Sequence, residues 1–487
     1  MSSTPAGRTV IRGGTVVTMA PGALDIPDGA VLVEGDEIVG VGPAEEFASV
    51  DAEVLDAGGG VIMPGMIDTH RHMWMALLRG ESADMSLLTF LDTLHDRCGK
   101  VVDAETLALS TRVSAIEAVN AGVTTVLDYC DAVNSPDHAR AAVDALAASG
   151  VRAVHAYGMH AYDEGVATFK DHGERLDDAR RLREETLSGD AGRVTMALAL
   201  SLLGAVPFPL TEAEVALGDA LALHTASHSH ALWGTVFTTG VRELRHRGLL
   251  RPGQLHIHCT NLTDGEWRAL AEAGAKVSIA PETELQMGMG HPPIRRSIEH
   301  GFLPSLSTDV ATAGSGDLFA QMRLALQFQR CVDNDAYNRR GEMPVNLTYS
   351  VRDALTWATR GGAEALNLGD RVGTLEPGKQ ADVIVVGGAH PNLLPRPTRP
   401  EAVVLQAGPA DVDLVMVAGR VLKRAGRLVD VDLPALGHAA ENARDAWVRK
   451  AGGLVPAPAE QILRHSAEAD VWAAANLAQA FCGTPPG

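Results

Sequence analysis

Between residues 61 and 369, short apolar segments alternate with segments of helical spacing, and this alternation restricts the possible folds more than any other feature. Eight apolar segments separated by helices predict a parallel (β/α)8 barrel. The segments are 61–68, 123–128, 151–157, 194–203, 220–225, 255–259, 276–280 and 303–307. Barrels of this type carry their chemistry at the C-terminal ends of the strands, so the side chains there are the candidates for function.

The barrel segment is flanked by short strands separated by Gly-, Pro- and Asp-rich turns. Residues 1–60 and 370–430 share this pattern, which predicts one small β-sandwich domain built from both chain ends. Residues 431–487 are polar, alanine-rich and helical in spacing, and we interpret them as a C-terminal helical extension. The predicted fold class is therefore α/β, with a barrel over residues 61–369 and a small β-sandwich domain.

Charge and cysteine content narrow the classes of partner. The chain has 41 Lys and Arg against 61 Asp and Glu, for a net charge of −20, which argues against nucleic acid or an anionic membrane surface. Its five cysteines are scattered and form no CxxC pair, and the first residues lack the apolar stretch of a signal peptide. We therefore expect a reduced, cytoplasmic protein whose partner is a small-molecule substrate.

Histidines and one aspartate follow several of the predicted strands. His70 and His72 end the first strand, and residues i and i+2 of a strand point to the same side. His224, His258 and Asp309 end three later strands. Imidazole and carboxylate ligands together suit Zn²⁺ best, with Fe²⁺ or Mn²⁺ as alternatives.

Five motifs, taken together, give these residues a family context. They are PGMIDTHRHM at 64–73, LLRG at 77–80, AGVTTVLD at 121–128, Thr308-Asp309, and GTLEPGKQADVIV at 373–385. The set resembles the amidohydrolase superfamily, in its cytosine deaminase-like and triazine hydrolase-like branch, over about residues 8–430. Members of this family are commonly homodimers or larger homo-oligomers, so the resemblance implies the same here.

The resemblance implies a role for each strand-end residue. His70, His72 and His224 would bind the metal, and Asp309 would complete its ligands and act as a base. His258 would hydrogen-bond the attacking water or polarise the substrate. Binuclear members bridge two metals with a lysine or glutamate from the fourth strand, and 194–203 contains neither. We therefore expect one divalent metal ion.

One departure from the deaminase pattern limits this inference. Deaminase members carry a glutamate three residues after the fifth-strand histidine, and Ser227 stands there after His224. A serine hydroxyl cannot exchange protons near neutral pH at its ordinary pKa. His228 is an alternative metal ligand in a shifted register. We prefer His224 because it directly follows the apolar run at 220–223.

Several residues could replace the missing glutamate as proton shuttle. His228 and His230 follow the fifth strand and titrate in a suitable range. Glu284 and, less favoured, Glu282 follow the seventh strand and could reach across the cleft, or else serve only as structural loop residues.

Other residues near these motifs are candidates for contacting the substrate. They are Trp74, Arg79, Ser227, His258 and Met287. Four further histidines, His95, His138, His246 and His300, fall in helical or loop segments, and we expect them on the surface.

The sequence thus predicts a mononuclear metal-dependent hydrolase that breaks a non-peptide C–N bond of a small cyclic or heteroaromatic compound. The missing glutamate favours two alternatives on the same scaffold, dechlorination and a lyase-type reaction, since a leaving halide needs no protonation. An alternative of another class is a non-catalytic scaffold or binding protein.

Overall fold

The computed structural model describes residues 7–162, 165–229, 240–387, 390–395 and 400–482. In chain order the strands are β1 (Arg8–Val16), β2 (Ile26–Glu34), β3 (Glu37–Pro43), β4 (Glu53–Asp56), β5 (Val61–Pro64), β6 (Met66–Arg71), β7 (Val123–Cys130), β8 (Arg152–Gly158), β9 (Val194–Ala199), β10 (Thr225–Ser229), β11 (Leu255–His258), β12 (Lys276–Ser278), β13 (Val383–Val386), β14 (Val412–Val417), β15 (Arg420–Arg424) and β16 (Arg427–Leu428).

The α-helices follow the same order along the chain. They are α1 (Leu87–Phe90), α2 (Arg97–Gly99), α3 (Ala104–Asn120), α4 (Pro136–Ser149), α5 (His172–Arg181), α6 (Phe208–Leu221), α7 (Gly240–His246), α8 (Asp264–Glu272), α9 (Pro281–Gln286), α10 (Ile294–Glu299), α11 (Leu318–Asn338), α12 (Val351–Thr356), α13 (Gly362–Ala365), α14 (Val403–Gln406), α15 (Leu433–Lys450) and α16 (Ala459–Cys482). A π-helical turn at Leu91–Asp96 joins α1 to α2.

The predicted barrel is confirmed, with an irregular eighth position. Strands β6 to β12 form one parallel sheet in chain order. Single bridges from Leu306 to Ile279 and from Asp309 to Arg71 close it where an eighth strand would lie. Asp68 holds this junction by accepting hydrogen bonds from the Thr308 N–H and hydroxyl. Asp309 therefore emerges beside the end of β6.

The fifth strand lies four residues further along than the sequence predicted. The apolar residues 220–221 end α6, and Ala222 then takes a left-handed conformation with φ of 51° that turns the chain. Strand β10 begins at Thr225, so His224 comes before the strand and His228 near its end. A short apolar run reads the same in a buried helix end as in a strand, which is why the prediction failed.

Both chain ends build the small domain, in one mixed nine-stranded sheet. Strand β5 pairs with β1 and β13 before the chain enters the barrel at Met66. Arg152 of β8 and Asp382, both buried, form an ion pair at 2.8 Å that joins the barrel to this sheet. Buried Lys423 of β15 donates to the carbonyl oxygens of Asn120 and Pro409, which adds a second link.

The C-terminal segment is helical and packs on the barrel. Trp447 of α15 is buried, and its Nε1 donates to the Cys98 carbonyl oxygen at 3.0 Å. Helix α16 contacts α1 and α7. Within the described ranges, no helix combines the length and apolar character needed to cross a bilayer.

Candidate metal centre

Four histidines and one aspartate meet at the C-terminal end of the barrel. One group of possible ligands is His70, His72 and His228, and another is His70, His258 and Asp309. Within each group the ligand atoms lie within 4.8 Å of one another. Asp309 Oδ1 is 3.0 Å from His70 Nε2 and 3.5 Å from His72 Nε2. The rings of His72 and His228 are stacked, with centroids 5.4 Å apart.

Two buried carboxylates orient the imidazoles from behind. His72 Nδ1 donates to Asp131 Oδ1 at 3.2 Å, which leaves Nε2 facing Asp309. His258 Nδ1 pairs with Glu284 Oε1 at 3.3 Å, and its Nε2 lies 3.9 Å from Asp309 Oδ2. A carboxylate that accepts from the far nitrogen of a metal-binding histidine fixes its tautomer and ring orientation.

The electrostatics favour neutral His70 and His228 and an ionised Asp309. Burial would lower the pKa of His72, but Asp131 and then Asp309 outweigh it, and this pKa is raised. Burial, followed by the neighbouring histidines, holds the pKa of His228 well below its usual range. Burial lowers the pKa of His70 to about 4. Burial works against ionisation of Asp309, but the hydrogen bond and charge of His70 and the charges of His258 and His72 outweigh it, and its pKa is lowered. Neutral imidazole and carboxylate are the protonation states that bind a metal.

Backbone strain marks the same place. His258, Cys259 and Asp309 have φ of 71°, 56° and 60°, in the left-handed region that non-glycine residues rarely adopt. Such a conformation costs about 1–3 kcal/mol and persists only where the surroundings impose it. At His258 and Asp309 it occurs where each chain segment leaves the barrel and presents its side chain to the cluster.

The donor set fits one divalent ion. The ligand atoms of His70, His72 and His228 lie within 4.8 Å of one another, and Asp309 Oδ1 lies 3.0 Å from His70 and 3.5 Å from His72. The neighbouring strand β9 carries apolar Met196, Ala197 and Leu198 along its middle and offers no bridging ligand. A mixed imidazole and carboxylate site of this kind suits zinc.

The predicted ligand His224 is wrong for this centre. It precedes β10 at the opposite end of the barrel, where it lines a separate cavity with Asp190, Gly253 and Asn367. His228, one strand length further on, stacks on His72 instead. The shift follows from the later start of β10 described above.

A cavity lined by His72, His228, His258 and Asp309 lies over the cluster. Three predicted substrate contacts are absent from its lining. Trp74 is fully buried and donates through Nε1 to Asp131 at 2.6 Å. The Arg79 Nη1 donates to Glu117 at 2.6 Å on the outside of the barrel. Ser227 is buried inside β10, where its hydroxyl lies 3.4 Å from that of Ser229. His258 and Met287 do line the cavity.

Glu282 and Glu284, which follow the seventh barrel strand β12, do not line the cavity. Glu284 is fully buried behind His258, and its Oε1 also accepts from the Ala280 N–H. Glu282 accepts from Ser315 and Gln321 on the loop surface. His230, the other proposed shuttle, lies outside the described residues.

His95 and His138, which were assigned to the surface, instead form hydrogen bonds inside the protein. His95 lines the cavity and donates through Nε2 to Asp131 Oδ2 at 2.8 Å. His138 is buried between Ser135 and the Val102 carbonyl oxygen.

The lining residues that were not predicted from the sequence include Tyr129, Asp131 and His160. Asp131 directly follows β7, and His160 comes two residues after β8. The strand-end rule used for the metal ligands would have found both if it had been applied to the second and third strands.

Comparisons with known proteins identify the family. The model of the amidohydrolase family matches residues 61–422. A 5-methylthioadenosine/S-adenosylhomocysteine deaminase of Symbiobacterium thermophilum is 29% identical over 85% of this chain and 93% of its own length. A 5'-deoxyadenosine deaminase of Methanosarcina mazei is 28% identical over 91% of this chain and 98% of its own.

Solved structures show the same fold. An adenosine deaminase from Xanthomonas campestris with bound zinc has a TM-score of 0.80 and 25% identity, and covers 92% of this chain and 100% of its own. An atrazine chlorohydrolase from Arthrobacter aurescens complexed with zinc has a TM-score of 0.76 and 23% identity, and covers 90% of this chain and 100% of its own.

Proposed function

Since the chain belongs to the amidohydrolase family, we propose that it is a mononuclear zinc-dependent deaminase of a small amino-substituted heteroaromatic compound. The chain is a hydrolase of non-peptide C–N bonds that depends on a metal. The finer proposal rests on the group of His70, His72 and His228 and on the position of Asp309 beside His70 and His72. These four residues would hold the ion. When bound, a divalent metal lowers the pKa of water and so supplies a nucleophile near neutral pH.

The residues around the ion have separate tasks. Asp309, ionised and within 4 Å of three imidazoles, takes the proton of the attacking water through its free oxygen. The Nε2 of His258 hydrogen-bonds the oxygen atom of the water that adds to the substrate carbon. Glu284 holds the other nitrogen of His258, so it acts on the reaction through that ring.

The leaving amine must be protonated, and the usual glutamate is missing in either register. Ser227 stands three residues after His224, and Ala231 three residues after His228. Ala231 lies outside the described residues. Asp309, having accepted a proton from water, is the cluster's carboxylic acid that can return it to the amine.

The missing glutamate also favours a second candidate function, the hydrolytic loss of halide. A chloride leaves without being protonated, so an acid at that position is not required. The metal, His258 and Asp309 would serve both reactions. The structural similarity to the atrazine chlorohydrolase supports a scaffold able to take such a ring.

A substrate screen tests the proposal. Zinc-loaded protein is incubated with aminated and halogenated heterocycles, and ammonia and chloride release are measured separately, with His72→Ala as blank. Ammonia release that His72→Ala abolishes is the expected result. Chloride release alone selects the second function, and neither product from any compound contradicts both.

Cellular location and assembly belong to the same proposal. We expect a cytoplasmic homodimer or larger homo-oligomer, on the grounds of the cysteine pattern and the family resemblance. Sedimentation of the purified chain checks the second point.

A further inference from the structure

Above the metal centre lies a cavity of about 280 Å³ whose walls are mostly apolar. Phe90, Leu91, Leu200, Leu202, Met287 and Val310 form these walls. Such surfaces suit a flat, weakly polar ring. They leave orientation of the ring to the few polar groups that face the same space.

Two imidazoles outside the metal cluster face this cavity. The rings of His95 and His160 are 5.2 Å apart and inclined by 72°. Asp131 lies between His72 and His95 and accepts a hydrogen bond from each. His95 and His160 therefore lie on the side of the cavity beyond the metal ligand His72. His160 packs its ring edge-on against Tyr162 at 4.6 Å. No hydrogen bond to either His160 nitrogen is formed by the part of the chain that the structure describes.

The surroundings define the hydrogen-bonding state of His160. His95 Nε2 pairs with Asp131 Oδ2, which leaves Nδ1 as its remaining ring nitrogen. Burial, followed by the charge of His95, lowers the pKa of His160 to about 3, so this ring is neutral near pH 7 and carries one acceptor nitrogen. His160 therefore offers one acceptor nitrogen on this side of the cavity, next to the ring of His95.

The charge of the lining excludes an anionic ligand. Asp96, Asp131 and Asp309 line the cavity, while lysine and arginine are absent from its described lining. Residues 230–239, which the structure does not describe, also contain no lysine or arginine in the sequence. Away from the metal position, a carboxylate or phosphate on the substrate would lose its hydration and meet no lysine or arginine of the described lining.

We propose that His160, next to His95, determines substrate specificity by accepting a hydrogen bond from an amino substituent remote from the attacked carbon. This inference rests on the proposed function and narrows its substrate class to uncharged or cationic rings that carry at least two amino groups. One amino group lies at the metal and leaves, and the other meets His160. Anionic rings and rings with only alkyl substituents at the remote position are rejected.

Binding of two matched probes tests this directly. Diamino-s-triazine and dimethyl-s-triazine are similar in shape and only weakly basic, but only the first has N–H donors. Zinc-loaded full-length protein is titrated with each and followed by ligand-detected NMR, which also reveals turnover. We expect the diamino ring to bind about fivefold more tightly, because a hydrogen bond contributes about 1 kcal/mol.

Substitution of His160 tests whether this residue causes the preference for the diamino ring. His160→Leu reduces affinity for the diamino ring at least about fivefold and leaves that for the dimethyl ring within about twofold, whereas a merely structural role would weaken both equally. His300→Leu, a change far from the cavity beside Trp267, alters neither. Equal binding of both probes by the unmodified protein, equal losses in His160→Leu, or no binding of the diamino ring overturns the inference. Absence of turnover with the affinity ratio intact instead contradicts the proposed function.

Discussion

At the scale of single residues, the centre is organised by carboxylates that never touch the metal position. Asp131 is the best example: it accepts hydrogen bonds from His72, Trp74 and His95. Burial would raise its pKa, but the charges of His72 and His95 hold it well below the usual range. Asp131 therefore remains an anion that fixes a metal ligand and a cavity residue at once.

Replacing this carboxylate weakens metal binding. In Asp131→Asn, the orientation of His72 is no longer enforced by charge, and we expect zinc affinity to fall about 10–100-fold. Competition with a chromophoric chelator measures it. Asp92→Asn, which alters a partly exposed partner of Arg97, is the control and leaves affinity unchanged. A zinc affinity of Asp131→Asn equal to that of the unmodified protein would show that Asp131 plays no part in holding His72.

Glu282 and Glu284, both in α9, form a matched pair for substitution. Glu284→Gln removes the anion behind His258, and we expect turnover to fall at least about tenfold with zinc content unchanged. Glu282→Gln keeps turnover and lowers the free energy of unfolding by about 1 kcal/mol, because only loop hydrogen bonds weaken. Equal turnover in both variants would make Glu284 purely structural.

Among single residues, site residues could be predicted from the sequence where they follow a clearly apolar strand. His70, His72, His258 and Asp309 were all found from their place after apolar strands, and the structure brings them together. His224 was chosen over His228 because four apolar residues preceded it, and these turned out to belong to α6 and its turn. His95 could not be recognised, because it lies in a π-helical turn whose spacing carries no signal.

At the scale of elements, the C-terminal helices support the cavity wall. Trp447 of α15 packs against Trp74 at 6.1 Å and donates to Cys98 at the end of the segment that carries Phe90 and His95. The sequence predicted helices here but not their partner, because contacts between distant segments leave no local pattern. The extension therefore reaches the walls of the site without entering it.

Removing this anchor loosens the wall. In Trp447→Ala, we expect faster amide hydrogen exchange in α15 and in residues 87–99, since a buried Trp→Ala change removes about 3–5 kcal/mol of packing. Trp472→Ala, in α16, changes little because that side chain is 42% exposed. Unchanged exchange in residues 87–99 of Trp447→Ala would mean that α15 does not support the cavity.

At the scale of the whole molecule, two buried cations fasten the barrel to the small domain. Arg152 is paired with Asp382, while Lys423 contacts only carbonyl oxygens among its hydrogen-bond partners. Burial lowers the pKa of Lys423 to about 8. The sequence predicted that the two chain ends meet in one unit, but not which cations would be buried beneath it.

Lys423 gives the protein a specific dependence of stability on pH. Between about pH 8 and pH 10 the unfolded chain binds a proton at this lysine that the folded chain has released, so folding is favoured as the pH rises. The free energy of unfolding, measured in urea, should therefore rise relative to Lys423→Met over this interval. Lys100→Met, which removes a partly exposed partner of Asp96, is the control and shows no such slope. A difference between the unmodified protein and Lys423→Met that stays constant with pH would contradict the account.

The proposed function requires one metal ion held by His70, His72, His228 and Asp309, a claim that two substitutions four residues apart can test. His228→Ala and His224→Ala remove the same side chain from the two ends of β10. Zinc per chain is measured by mass spectrometry after loading and desalting. We predict one ion per chain in the unmodified protein and in His224→Ala, and a large loss in His228→Ala. Retention of zinc by His228→Ala with loss in His224→Ala, or two ions per chain, would contradict the claim.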